Sequence, residues 1–217
     1  MQVTRLFKHF DELQKIYGNP SLDAIYGAGE VNSPDLCLVF MNPTGRNVSS
    51  VKSWKGLKAP WIGTKNVWKM FYDLGFFDFK FWNEINQRKP AEWDYGFANK
   101  VYDEVRRKSI YITNLSKATQ SDAKHLKNHV FKQYLDLFKE EMMAVNPKII
   151  ITFGNQVSSI ILNKQINVSQ YRKKYEFFNG FKVYPVYYPV GQGMRNMAIA
   201  KEDMGWILGQ QENGAIS

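Results

Sequence analysis

Cysteine is nearly absent: Cys37 is the single one in 217 residues. One thiol cannot close an intrachain disulfide, supply the four thiolates of an iron–sulfur cluster or build a Cys-rich zinc site. A reducing compartment suits such a chain, and a cytoplasmic location is expected. Long apolar runs are missing too. No stretch approaches the ~20 apolar residues of a membrane span, and the opening MQVTRLFKHFDELQ carries charges where a signal peptide has its apolar core. No membrane partner is expected. Histidines number three. His125 and His129 stand at i, i+4, but Leu126-Lys127-Asn128 between them lacks the glutamate of a zinc protease helix, so the pair is assigned to the surface and no metal is expected. A zinc base deaminase needs a cysteine pair or trio that this chain does not have. Neither a Walker loop nor a Gly-x-Gly-x-x-Gly helix opening occurs. Acidic residues are outnumbered, 20 Asp and Glu against 29 Lys and Arg, which leaves a net charge of +9. That imbalance favours a polyanionic partner without naming it.

Apolar residues make up 44% of the chain and charged ones 23%, the range of an ordinary globular domain. One domain is expected over residues 1–208, with 209–217 as a disordered tail. Four short apolar runs rich in β-branched or aromatic residues predict buried strands at 36–41, 109–114, 148–153 and 182–187. Helical stripes lie between them: Leu6, Phe10, Leu13 and Tyr17; Val67, Met70, Phe71 and Leu74; Val130, Tyr134, Leu137 and Phe138. Further helices are expected after Gly154-Asn155 and over about 197–208. Alternating strands and helices predict an α/β fold, a three-layer α/β/α sandwich around a mostly parallel four-stranded sheet, because parallel neighbours need a crossover element. Asn179-Gly180 predicts a tight hairpin that leads an antiparallel strand into the last one.

Ligands of open α/β sheets bind outside the carboxyl ends of the strands. Four loops occupy that position: Asn42-Pro43-Thr44-Gly45, Asn114-Leu115-Ser116-Lys117, Gly154-Asn155-Gln156 and Tyr188-Pro189-Val190-Gly191. All are polar or rich in Gly and Pro. Asn42 is held extended by the following proline, and Gly45 lets the backbone come close to a bound group. For each residue a plainer assignment competes: an Asx-type turn for Asn42, core packing for Trp61, a cap for Asn114 and a solvated loop for Met194 and Arg195.

The stretches FMNPTG, APWIGTKNVWKMFYDLGF, YITNLSKA, IIITFGNQ and YPVGQGMRN, in this order, resemble the uracil-DNA glycosylase superfamily over about residues 36–196. The resemblance implies hydrolysis of the N-glycosidic bond of uracil, or of a related deaminated or mismatched base in DNA, without a cofactor. It implies that Asn42 positions a water and that Pro43, Thr44 and Gly45 shape the sugar site. Trp61 would stack on the flipped base and Asn114 read its edge, while Met194 and Arg195 enter the duplex as wedge and filler. Tyr188 stands where the family has histidine, and a phenol is also a hydrogen-bond donor toward the departing base. Lys52, Lys55, Lys58, Lys65 and Lys69 fit a duplex track. Thr44 and Gly45 stand where the branch most strict against thymine has a tyrosine, so bases other than uracil stay open. Two readings compete with an active glycosylase: a nucleic-acid-binding protein of the same fold that does not cleave, and a hydrolase of free nucleotides.

Overall fold

The computed structural model describes residues 2–123 and 126–212. Its sheet has six strands: β1 Ala28–Gly29, β2 Leu36–Phe40, β3 Ile110–Asn114, β4 Ile149–Phe153, β5 Glu176–Phe178 and β6 Phe181–Val186, in the spatial order β1-β3-β2-β4-β6-β5. The four central strands are parallel, and β1 and β5 pair antiparallel at the two edges. The expected sheet of four strands is therefore the parallel core of a sheet of six. β5 belongs to the expected hairpin, in which Asn179 and Gly180 both take positive φ, 48° and 87°. β1 has two residues and no apolar run to announce it.

The helices are α1 Phe7–Tyr17, α2 Asn66–Asp73, α3 Phe79–Gln87, α4 Tyr95–Arg107, α5 Asn128–Gln133, α6 Leu135–Val145, α7 Asn155–Ile161, α8 Val168–Tyr171 and α9 Met197–Glu212. The alternation of side chains along a strand sends neighbours to opposite faces, and the core divides accordingly. Leu36, Leu38 and Phe40 of β2 pack on one face with residues of α2, α3, α4 and α9. Cys37 and Val39 pack on the other with residues of α6 and α7. These two layers around the sheet form the α/β/α sandwich.

Three differences from the sequence expectation have local causes. The stripe from Val130 to Phe138 is two helices, because Tyr134 (φ −91°) caps α5 and leads into α6. Helices α3 and α4 start at Asp78 and Asp94, whose carboxylates accept the amides of Phe81 and Phe97 at 2.7 Å each; these N-caps satisfy otherwise orphaned helix donors. Helix α9 runs four residues past Leu208 to Glu212, into the stretch expected to be disordered. Residues 213–217 and His125 lie outside the described part. Among the described residues no helix is long and apolar enough to cross a membrane.

Candidate active site

Parallel pairing puts the ends of β2 and β3 side by side, with Phe40 opposite Asn114. The chain stays in register for two more residues, since Leu115 and Ser116 donate to the carbonyls of Phe40 and Met41 at 2.8 and 3.0 Å. The loop after β2 is then tied to the segment after β3. Gln120 N–H donates to Pro43 O at 3.0 Å and Gly45 N–H to Gln120 O at 2.8 Å. A third wall comes from the turn at Pro60–Gly63. Tyr102 donates its hydroxyl to Pro60 O at 2.6 Å, and Val48 N–H donates to Ile62 O at 3.0 Å.

These walls enclose a cavity of about 160 Å³ lined by Asn42, Pro43, Thr44, Trp61, Asn114 and Tyr188, together with Arg46, Thr64, Asn66 and others. A single water needs only ~10–15 Å³ and a cavity near 150 Å³ accepts a benzene ring, so the space is on the scale of one heterocycle. Six of the ten residues singled out in the sequence line it. Gly45 does not: its backbone packs on Ser121 O and Leu22, 3.3 and 3.4 Å from where a Cβ would stand. Lys65 precedes α2 and donates its ammonium to Asn86 O. Met194 (45% exposed) and Arg195 lie in a 3-10 turn over Gly191–Asn196 that adjoins the cavity through Gly191.

Each cavity side chain has a defined hydrogen-bonding state. Asn42 donates Nδ2 to Pro43 O at 3.1 Å, so its donor is engaged in a turn and its Oδ1 is left as an acceptor. Asn114 is buried, and its side-chain amide makes no hydrogen bond among the described residues. Its donor and its acceptor are thus both unengaged among the described residues. The main chain of Asn114 is fixed from below by Lys117, whose ammonium bonds Asn114 O, Thr113 Oγ1 at 2.8 Å and Glu141 Oε2 at 2.7 Å. Burial pulls the Lys117 ammonium below its ordinary pKa, against the Glu141 charge, which favours the proton. The geometry favours the ion pair, because Glu141 also accepts from Tyr111 and Thr113 hydroxyls at 2.8 Å each.

Trp61 carries two local strains. Its φ is +66°, a region that a bulky residue enters at a cost of ~1–3 kcal/mol. Its Nε1 is buried without a partner. The backbone conformation is held by three donors on Trp61 O: Trp68 Nε1 at 3.1 Å, Thr64 Oγ1 at 2.8 Å and Thr64 N at 3.1 Å. The indole meets the Phe40 ring edge-on at 4.8 Å, and Phe40 in turn meets Tyr188 edge-on at 6.2 Å.

Tyr188 follows β6. Burial pushes its phenol up to about 12, so it is a neutral donor at physiological pH. Gly193 packs against it so closely that a Cβ would lie 2.0 Å from Tyr188 O. The loop after β4 supports this site without lining it: a Cβ on Gly154 would be 3.5 Å from Tyr188 Cβ.

Arg46, Thr64 and Asn66 were not singled out in the sequence. Thr64 and Asn66 directly follow Pro60-Trp61-Ile62-Gly63, and Arg46 follows Asn42-Pro43-Thr44-Gly45, so proximity to the motifs was the available signal. The basic track is partly occupied. Lys58 pairs with Asp23 and Lys69 with Asp73, while Lys52 and Lys55 have no ion pair among the described residues. The runs at 106–108 and 172–174 lie at helix and loop ends, with Arg106, Arg107, Arg172 and Lys173 on carboxylates.

Fold and pocket define an α/β protein with a cavity at the carboxyl ends of parallel strands that presents amides, an indole and a phenol. Residues 29–204 match the family model of the Uracil DNA glycosylase superfamily, and the chain belongs to that superfamily. Among curated proteins none matches the chain.

Proposed function

We propose that the protein is a DNA glycosylase that hydrolyses the N-glycosidic bond of uracil or of a related deaminated or mismatched base. The observation that carries this reading is that Asn42, Trp61, Asn114 and Tyr188, from four separate segments, line one cavity of heterocycle size. A target nucleotide leaves the stack at a cost of a few kcal/mol, less where it is mispaired. Trp61 offers a face for the base. The unengaged amide of Asn114 offers a donor and an acceptor to its edge, and a base with the wrong pattern leaves those groups unpaired.

The C1′–N bond then breaks, with the electron pair leaving on the base and positive charge growing on the sugar. Among the described residues no carboxylate lines the cavity, so no side chain there acts as a strong base. An oxocarbenium-like sugar needs none: a water held by Asn42 Oδ1 adds to C1′ and gives up one proton, while the departing base takes up one. Tyr188 donates a hydrogen bond to the base as its negative charge develops, the kind of contact whose loss costs ~2.7–4 kcal/mol elsewhere. The reaction uses no cofactor or metal.

One observation favours a second reading, binding without cleavage: no histidine lines the cavity among the described residues, and a phenol raised to about 12 is a weaker acid than an imidazolium. Strand cleavage after alkali, on duplex and single-stranded oligonucleotides carrying uracil, hypoxanthine or a G:T mismatch, separates the two. Cleavage that Asn42→Ala abolishes supports the glycosylase. Salt-sensitive binding with no cleavage of any of them supports the second reading, and hydrolysis confined to free nucleosides contradicts both.

A further inference from the structure

Arg46 is the single charged residue lining the cavity among those described. Its side chain is exposed at the rim. The chain has seven arginines, and five of them, Arg5, Arg88, Arg106, Arg107 and Arg172, sit on carboxylates. Arg46 and Arg195 have no such partner among the described residues. Both stand beside the cavity, Arg46 in its wall and Arg195 in the turn that supplies Gly191. Among the described residues the guanidinium groups elsewhere are neutralised, and the two at this opening are not.

The backbone that carries Arg46 is fixed on either side. Gly45 N–H is bonded to Gln120 O at 2.8 Å, Asn47 N–H to Thr44 O at 2.9 Å, and Arg46 N–H reaches Thr44 Oγ1 at 3.4 Å. The next residue, Asn47, is buried and locked by its own side chain, which donates to Ala59 O at 2.7 Å and accepts from Ser49 Oγ at 2.8 Å. These bonds hold the Cα of Arg46 beside the opening, and a guanidinium binds a tetrahedral oxyanion through two parallel hydrogen bonds.

We propose that Arg46 clasps the phosphodiester adjoining the nucleotide whose base enters the cavity, and so sets which nucleotide of the strand is presented. This rests on the reading that the cavity takes a nucleotide of DNA. Two anions compete for the guanidinium: the backbone phosphate, present in the ground state and outside the pocket, and the departing base, charged only as the bond breaks and inside it. The exposed rim position fits the phosphate.

The test measures binding and single-turnover excision for wild type, Arg46→Gln and Arg46→Lys. Substrates are duplexes in which each linkage around the target in turn is a neutral methylphosphonate. One neutral linkage next to the target should weaken wild-type binding about tenfold, the scale of a charge-assisted hydrogen bond. Arg46→Gln should show the same loss on native duplex and no further loss on that neutral one. Its salt slope should be shallower by about one unit. Arg46→Lys should keep the slope and recover part of the affinity. The proposal is overturned if the two losses multiply, if no single linkage matters, or if Arg46→Gln slows excision at saturating DNA while affinity is unchanged, which assigns the charge to the leaving base. Because the coupling is read in binding, a wild type that binds and does not excise defeats the glycosylase reading alone.

Discussion

Lys117 and Glu141 meet at 2.7 Å with side chains 1% and 0% exposed, directly beneath the strand end that carries Asn114. Removing one member of a fully buried pair leaves the other charge uncompensated, at a cost of ~3–5 kcal/mol. Glu141→Ala is therefore expected to lower the denaturation midpoint strongly. In Lys117→Met with Glu141→Gln the stranded charge is gone, while the Tyr111 and Thr113 hydroxyls keep an acceptor. Its loss should be smaller than the sum of the two single losses, as read in denaturant unfolding with a double-mutant cycle.

Tyr188 gives a pH signature. Its phenol rises from an ordinary 10.0 to about 12 through burial. The folded state therefore holds this proton more tightly than the unfolded one. Its contribution to stability is complete below pH 10 and is lost as pH rises from 10 toward 12. The donor also stays protonated across the working range, so excision should show no alkaline decline attributable to Tyr188 below pH 10. Tyr188→Phe is expected to slow single-turnover excision by about 100-fold or more, with the pH profile below 10 unchanged in shape.

Gly193 tests the placement of Tyr188 from outside the cavity. A Cβ there would fall 2.0 Å from Tyr188 O and 3.0 Å from Tyr188 Cδ1, so Gly193→Ala must displace the Tyr188 backbone or ring. Overpacking of this kind costs ~1–3 kcal/mol, which leaves a protein of ordinary stability folded. Excision is expected to fall by more than the folded fraction accounts for, with unfolding and single-turnover rate measured on the same sample.

Trp61 separates stacking from strain. Trp61→Phe keeps an aromatic face and deletes the orphaned Nε1–H, so stability should not fall and duplex affinity should stay within a few fold. Trp61→Ala removes the face and should weaken binding by ~1–3 kcal/mol. Equal affinity for all three proteins would show that the indole does not touch a base.

The four parallel strands were legible because each is a short, continuous apolar run closed by Asn, Gly or Pro, and a doubly covered strand needs such a run. Strand β1 was not legible, since Ala28 and Gly29 pair with Ile112 and Tyr111 through tertiary context rather than any pattern of their own. Helices α3 and α4 went unassigned although Asp78 and Asp94 cap them and their buried residues, Trp82 and Ile85 in α3 and Phe97, Val101 and Val105 in α4, keep a helical spacing. In the site, Asn42, Asn114 and Tyr188 could be found because each stands at or just past the end of a strand, and Trp61 because a family motif surrounds it. The position of Arg46 depends on how the loop 42–47 folds against Gln120, a contact between distant segments that no local pattern encodes.

The central claim is that a flipped base occupies the cavity between Trp61 and Asn114 with Asn42 facing the sugar. A crystal structure of the protein on a duplex carrying a 2′-fluoro analogue, which resists loss of its base, tests this most directly. The base is expected in that cavity, with its edge on the Asn114 amide and a water between Asn42 Oδ1 and C1′. A base still stacked in the duplex, or lodged in the groove lined by Leu36, Phe76 and Gln211 at the opposite end of the sheet, would contradict it.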